Sequence, residues 1–219
     1  MSVVTIERKV LEKNDQLAAE NRDALTRLGI FAINMVSSPG AGKTALLERT
    51  IAALAGRVRI SVVEGDVQTD LDAQRVARYG VPVVQIVTNG GCHLEARLVR
   101  DALAQIDLQQ TDVLVIENVG NLVCPANFDL GEDLKVVVLS VTEGDDKPLK
   151  YPAMFQRASV LVINKIDLVP YVDADVSAIR RHARLANPDL QIFETSCRTG
   201  EGIEAWADWL AVQAERRRA

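Results

Sequence analysis

Eight consecutive residues, Ser37-Ser38-Pro39-Gly40-Ala41-Gly42-Lys43-Thr44, join a short apolar run to an Ala/Leu-rich segment. Their types suit a phosphate chain. Gly40, Ala41 and Gly42 let backbone N–H groups curl around a β-phosphate, Lys43 supplies a point charge to the β- and γ-oxygens, and the Thr44 hydroxyl can hold Mg²⁺ where the next helix begins. The run departs from G-x-x-x-x-G-K-[ST] at its first position, where Ser37 stands, while the glycines and the Lys-Thr pair nearest the phosphates are all present. Position 38, where one group of dimeric ATPases carries a second lysine, is serine.

Farther along, Asn164-Lys165-Ile166-Asp167 follows an apolar run and matches the N-K-x-D pattern that reads guanine. A carboxylate at Asp167 accepts hydrogen bonds from the guanine N1–H and exocyclic amine, groups that adenine does not present together, while Asn164 and the Lys165 stem brace loop and base. Thr195-Ser196-Cys197-Arg198-Thr199-Gly200 fits a further loop near the guanine O6, with Ser196 and Cys197 at the base and Cys197 as a small loop residue, not a metal ligand. Together these motifs point to GTP and GDP as ligands.

Glu117-Asn118-Val119-Gly120 places an acid three residues before a glycine, the D-x-x-G position with Glu for Asp, where a carboxylate binds Mg²⁺ and the glycine moves as the γ-phosphate comes and goes. In the acidic stretch 64–72, Asp66 and Asp72 are candidates for Mg²⁺ or water positioning. Lys43, Asp66 and Glu117 form the candidate catalytic set, and Thr44, Asp66, Asp72 and Glu117 the candidate Mg²⁺ set. No glutamine or arginine finger is assigned, so slow intrinsic GTP hydrolysis is expected.

A second constellation is sulfur and nitrogen. Asn89-Gly90-Gly91-Cys92-His93-Leu94 reads as a helix start with a thiol and an imidazole side by side, and Cys124-Pro125 follows Glu117 by seven residues. Cys92, His93 and Cys124 would make a site for Ni²⁺ or Zn²⁺ that a partner subunit could complete. His182, among Arg180, Arg181 and Arg184, reads as a surface residue, and Arg216-Arg217-Arg218 as a solvated helix end.

These residues need a scaffold. The chain has 219 residues, 48% hydrophobic and 25% charged, with a net charge of −5, which fits one globular domain and argues against a general nucleic-acid binder. Apolar runs at 30–36, 59–63, 83–87, 113–116, 136–141, 160–163 and 191–193 alternate with helical segments at 44–55, 71–79, 93–106, 151–157, 173–186 and from 202 onward. Seven strands separated by helices predict an α/β fold with a mainly parallel sheet. Residues 1–29 form an expected amphipathic helix with apolar Ile6, Val10, Leu17, Leu25 and Leu28, and 30–219 the nucleotide domain with the metal site embedded in it. No membrane span or signal peptide is expected, and three unframed cysteines suit a reducing, cytoplasmic location.

Read together, these motifs resemble the HypB family, the nickel-insertion GTPases of [NiFe]-hydrogenase maturation. The resemblance rests on 37–44, Glu64-Gly65-Asp66, Asn89 to Leu94, Glu117 to Pro125, Phe128-Asp129-Leu130-Gly131-Glu132, Thr142-Glu143-Gly144-Asp145-Asp146-Lys147 and Asn164 to Asp167, in the family's order. It implies a P-loop NTPase of the SIMIBI type that binds Ni²⁺ or Zn²⁺ at Cys92, His93 and Cys124. It also implies dimerisation with GTP bound, and nickel delivery to a hydrogenase large-subunit precursor with a HypA-type partner. Lys147 or Lys150 would reach the nucleotide of the partner subunit. The Cys-x-x-Cys-Gly-Cys and His-rich segments of some members have no counterpart in residues 1–29. The urease accessory GTPase UreG uses a Cys-Pro-His element instead of the separate Cys92-His93 and Cys124-Pro125 found here. A metal storage or sensor module with a structural nucleotide site, and a regulatory GTPase whose Cys and His merely pack, are the readings from other classes.

Overall fold

A computed structural model describes the chain from residue 6 to 219, with side chains from residue 11, so the expected apolar positions Ile6 and Val10 lie outside the described side chains. The elements in order are α1 (Ile6–Arg27), β1 (Phe31–Ser37), α2 (Lys43–Leu54), β2 (Ile60–Asp66), α3 (Leu71–Ala77), β3 (Val83–Val87), α4 (Ala96–Leu103) and β4 (Val113–Glu117). There follow β5 (Leu134–Ser140), the short α5 (Lys147–Lys150) and α6 (Pro152–Arg157), β6 (Val160–Asn164), α7 (Val176–Ala186), β7 (Gln191–Thr195) and α8 (Ile203–Arg218). The strands form one sheet in the order β3-β2-β4-β1-β5-β6-β7. Every pairing is parallel, so the expected mainly parallel sheet is wholly so.

Continuous apolar runs such as Val136-Val137-Val138-Leu139 are buried on both faces, the usual state of a parallel strand covered by crossover helices. Ile33, Met35, Val113, Val115, Val136 and Val138 pack with Leu46 and Leu47 of α2 and with Trp206 and Leu210 of α8. On the opposite face Ala32, Leu114 and Ile116 meet Leu25 of α1 and Val99 of α4, while Val137, Leu139, Leu161 and Ile163 meet Phe155 and Ile179. Each such side chain contributes about 2 kcal/mol of burial free energy. This order places the carboxyl ends of β1, β2 and β4 side by side, where open α/β sheets bind ligands.

Helix α1 docks through Asn14, Ala18, Asn21 and Leu25, a stripe at helical spacing, whereas Leu17 is half-buried and Leu28 exposed. The two asparagines are satisfied by main chain. Asn14 Oδ1 accepts from Ala96 N at 2.9 Å, Asn14 Nδ2 donates to Asp129 O at 2.7 Å, and Asn21 Nδ2 donates to Ala96 O and Leu130 O, both at 2.9 Å. Arg22 adds an ion pair to Asp129 at 2.6 Å. Gly131, at φ 96°, lies so close beneath the helix that a Cβ there would come within 2.5 Å of the Asn21 Cβ.

Two expectations for cationic residues are corrected. Arg217 pairs with Asp133 at 2.8 Å and Arg218 with Asp112, so these two arginines tie α8 to the start of the sheet, while Arg216 is exposed as expected of a solvated helix end. His182 is half-buried, its Nδ1 2.8 Å from Asp145 O, because α7 packs against the 144–147 turn. Among the described residues no helix is long and apolar enough to cross a membrane.

Candidate functional site

The turn after β1 curls as its glycines allow, with Gly40 at φ 77° and Gly42 at φ 99° where a Cβ would be disfavoured. Lys43 points back along this turn and donates to Ser37 Oγ at 3.0 Å, so the residue in the place of the first glycine holds the lysine. Thr44 Oγ1 donates to Glu117 Oε1 at 2.8 Å, and Lys43 Nζ lies 3.9 Å from the same oxygen. Pro39, Gly40, Gly42, Lys43, Thr44, Asp66, Asp72, Arg75, Glu117 and Gly120 line one cavity of about 400 Å³.

The acids in this cavity differ in state. The Asp66 carboxylate, although burial works against its charge, is lowered by hydrogen bonds from Gln68 N and the Thr69 hydroxyl, both at 3.1 Å. Asp72 is bound to Arg75 at 2.8 Å, and Arg75 also pairs with Glu48 at 2.7 Å, so one guanidinium holds two carboxylates at the cavity edge. Glu64 was no candidate in the sequence because 64–72 read as a loop. Strand β2 continues to Asp66, and Glu64 is buried in register with Glu117 across β2 and β4. Burial, and then the neighbouring Glu117, push its carboxyl up to about 11. Burial raises the Glu117 carboxyl too, while Lys43 and the Thr44 hydroxyl favour its charged form, so Glu64 is the member of the pair that holds a proton.

A second cavity of about 470 Å³ shares Gly42 and Ala45 with the first and is lined by Asn164, Lys165, Asp167, Leu168, Cys197 and Arg198. Asn164 Nδ2 donates to Ala41 O at 3.0 Å, its Oδ1 accepts from Thr195 Oγ1 and lies 3.4 Å from Cys197 Sγ, and Lys165 Nζ donates to Gly40 O at 2.7 Å. Lys165 adopts φ 62°, the left-handed conformation that turns its side chain back over the phosphate turn. Asp167 Oδ1 accepts from Ser196 Oγ at 2.6 Å, which fixes the carboxylate at the cavity wall. Burial raises the Cys197 thiol, in keeping with a small packed residue.

Cys92, His93 and Cys124 converge, with one ligand atom from each within 4.8 Å of the others. They do so from loops. Helix α4 begins at Ala96 and not at His93, because Asn89 (φ 50°) and Gly90 (φ 102°) turn the chain and Thr88 Oγ1 donates to Gly91 O at 2.7 Å, so 88–95 is irregular. Asn121 Nδ2 donates to Cys92 O at 3.2 Å and joins this loop to the one carrying Cys124. The His93 ring lies on Phe128 with centroids 3.9 Å apart, its Nδ1 3.6 Å from Cys92 Sγ and its Nε2 buried without a partner. Burial lowers the His93 imidazole, so it is neutral and basic at pH 7, whereas hydrogen bonding to Cys124 raises the exposed Cys92 thiol. Two thiols and a neutral imidazole are a borderline-soft donor set suited to Zn²⁺ or Ni²⁺.

Lys147 lies 3.9 Å from Glu143 and over the Tyr151 ring, while the more exposed Lys150 pairs with Asp146 at 2.7 Å. A larger cavity of about 650 Å³ lies away from these sites under α1, among Arg22, Asp129, Glu132 and Lys135, whose charges pair with one another.

Residues 31–194 match the family described as CobW/HypB/UreG, nucleotide-binding domain. Over 215 residues the chain is 53% identical to hydrogenase maturation factor HypB of Azotobacter vinelandii, covering 98% of this chain and 71% of that protein. The crystal structure of HypB from Helicobacter pylori in complex with nickel superposes with a TM-score of 0.89 at 39% identity, over 94% of this chain and 97% of that one. The signal recognition particle receptor FtsY of Elizabethkingia anophelis, in complex with GDP, shares the fold alone, with a TM-score of 0.54 at 16% identity over 90% of this chain and 73% of that one. The phosphate turn, the wholly parallel sheet and this identity over nearly the whole chain agree, and the chain belongs to the hydrogenase maturation factor HypB family of P-loop nucleotide-binding proteins.

Proposed function

We propose that the chain is a GTP-hydrolysing metallochaperone that takes up Ni²⁺, or Zn²⁺, at Cys92, His93 and Cys124 and assists nickel insertion into a [NiFe]-hydrogenase precursor. One observation carries this reading: the thiol-imidazole cluster and the phosphate cavity grow from the same strand ends, since the chain leaves β4 at Glu117 and reaches Cys124 seven residues later, and the loop carrying Cys92 and His93 follows β3. The nickel complex of the H. pylori relative supports Ni²⁺ as cargo.

On the nucleotide side, Lys43 leaves Ser37 for the phosphate oxygens, and the Gly40 to Gly42 amides cradle the β-phosphate. Thr44, Glu117 and Asp66 offer only oxygen donors, and Glu117 Oε2 is buried without a hydrogen-bond partner, a set that fits Mg²⁺. When bound, Mg²⁺ supplies charge neutralisation at the phosphate oxygens. Asp167 reads the guanine edge, with Ser196 holding one of its oxygens and Asn164 and Lys165 bracing the loop. GTP-dependent dimerisation, with Lys147 or Lys150 reaching across to the partner subunit, and transfer with a HypA-type protein complete the proposal from the family.

The test is titration of the purified chain with nickel and zinc, first with GDP and then with a non-hydrolysable GTP analogue, with mass followed by light scattering. The expected result is stoichiometric metal lost in Cys92→Ala and a dimer that forms with the analogue. GTP binding without metal would overturn the metal assignment, and metal binding without GTP hydrolysis would mark a storage module.

A further inference from the structure

Leu94 directly follows the Cys92-His93 pair, and the fold fixes it twice. Its backbone N–H donates to Asn118 Oδ1 at 3.1 Å. Its side chain is fully buried over Gly65, where a Cβ would come within 2.8 Å of it. The two anchors are neighbours of the acids of the nucleotide site: Asn118 follows Glu117 at the end of β4, and Gly65 lies between Glu64 and Asp66 at the end of β2.

Asn118 is 1% exposed and fully engaged. Its Oδ1 also accepts from Val119 N at 3.0 Å, its Nδ2 donates to Asn34 Oδ1 at 3.2 Å, and its backbone N–H donates to Met35 O at 2.9 Å. An amide held by β1, by its own turn and by the metal loop cannot rotate away alone, because each abandoned partner would be left as an unsatisfied buried polar group. A displacement of the Glu117 strand end is therefore passed to Leu94, and so to the ligands one and two residues before it.

We propose that the joint of Leu94 with Asn118 and Gly65 is the link through which nucleotide state sets the placement of Cys92 and His93, and with it metal affinity. Asn118 and Leu94 act as positioning residues. The proposal rests on the GTPase and metal-site reading above. Cys124 lies six residues beyond Asn118 along the chain, in the loop whose Asn121 Nδ2 donates to Cys92 O at 3.2 Å.

The experiment is nickel titration of the full chain, saturated with GDP or with a non-hydrolysable GTP analogue, for wild type, Asn118→Ala, Leu94→Ala and Leu94→Met. Wild type is expected to show an affinity ratio between the two states of about tenfold, within the usual range for coupled sites. Asn118→Ala and Leu94→Ala are expected to bring the ratio to about twofold or less while GDP-state nickel affinity stays within about threefold of wild type, and Leu94→Met to restore it. A wild-type ratio retained in both alanine variants overturns the joint alone. Nickel binding by wild type with no difference between nucleotides overturns coupling itself, and no nickel binding at all overturns the metal reading beneath it. Should Asn118→Ala fail to fold, the Leu94 pair decides the matter, because those variants leave every hydrogen bond of Asn118 in place.

Discussion

Glu64 and Glu117 lie opposite each other in register on neighbouring parallel strands, both 2% exposed, and burial raises both carboxyls above their ordinary range. The unfolded chain lacks this burial. Between about pH 4.5 and about 11 the folded chain holds a proton at Glu64 that the unfolded chain has released, so stability without ligand falls as pH rises through that window. Glu64→Gln removes the titration and keeps a donor for Glu117. Its melting temperature is expected to exceed that of wild type by about 3 °C or more at pH 8, with little difference at pH 5. An equal shift at both pH values would show that the proton is not the cause.

Metal binding has its own pH dependence. The Cys92 thiol is raised by its hydrogen bond to Cys124 and by burial, so nickel must displace a proton there, whereas His93, lowered by burial, is already neutral above pH 6.5. The apparent nickel affinity is expected to rise between pH 6.5 and 8.5 by about tenfold per pH unit for each proton released. A competition titration at three pH values measures the slope, and a flat profile would exclude thiolate ligation.

Base selectivity is tested at Asp167. Asp167→Asn exchanges a double acceptor for a group that also donates, so GTP binding is expected to fall by about 100-fold or more while xanthosine triphosphate gains. Fluorescent-nucleotide competition measures both. A parallel loss for both nucleotides would mean that the residue only supports the Ser196 loop.

Helix α1 is held to the loops behind the metal cluster by Asn21, which serves Ala96 O and Leu130 O. Asn21→Ala leaves two buried carbonyls short of a partner and is expected to cost about 2 kcal/mol. Urea denaturation reads this directly. A change below about 0.5 kcal/mol would mean that water replaces the amide.

The contiguous motifs were legible because phosphate and guanine chemistry requires particular residue types next to one another in the chain. Ser37 to Thr44, Asn164 to Asp167 and the Cys92, His93 and Cys124 group all converge as their types suggest. Glu64 was hidden because its state depends on strand register with Glu117, which local sequence does not encode. Asn14 and Asn21 did not stand out because their partners are backbone atoms 75 to 115 residues away. The start of α4 was placed too early because Glu95 makes no side-chain cap and Asn89-Gly90 outweighs the helical pattern that follows. The arginines of α8 looked free because Asp112 and Asp133 approach them only once the sheet has formed.

The strap that Lys165 lays over Gly40, with Asn164 against Ala41, bears on how such a protein can diverge. A Cβ at Gly42 would meet Asn164 Nδ2 at 2.6 Å, so the phosphate turn and the base-reading loop restrict each other's sequence across 125 residues of chain. Positions 42 and 164 are therefore tied together, whereas Asp167 is free to change: a larger residue at 42 requires a different one at 164, and a side chain at 164 without an amide N–H leaves Ala41 O without its donor.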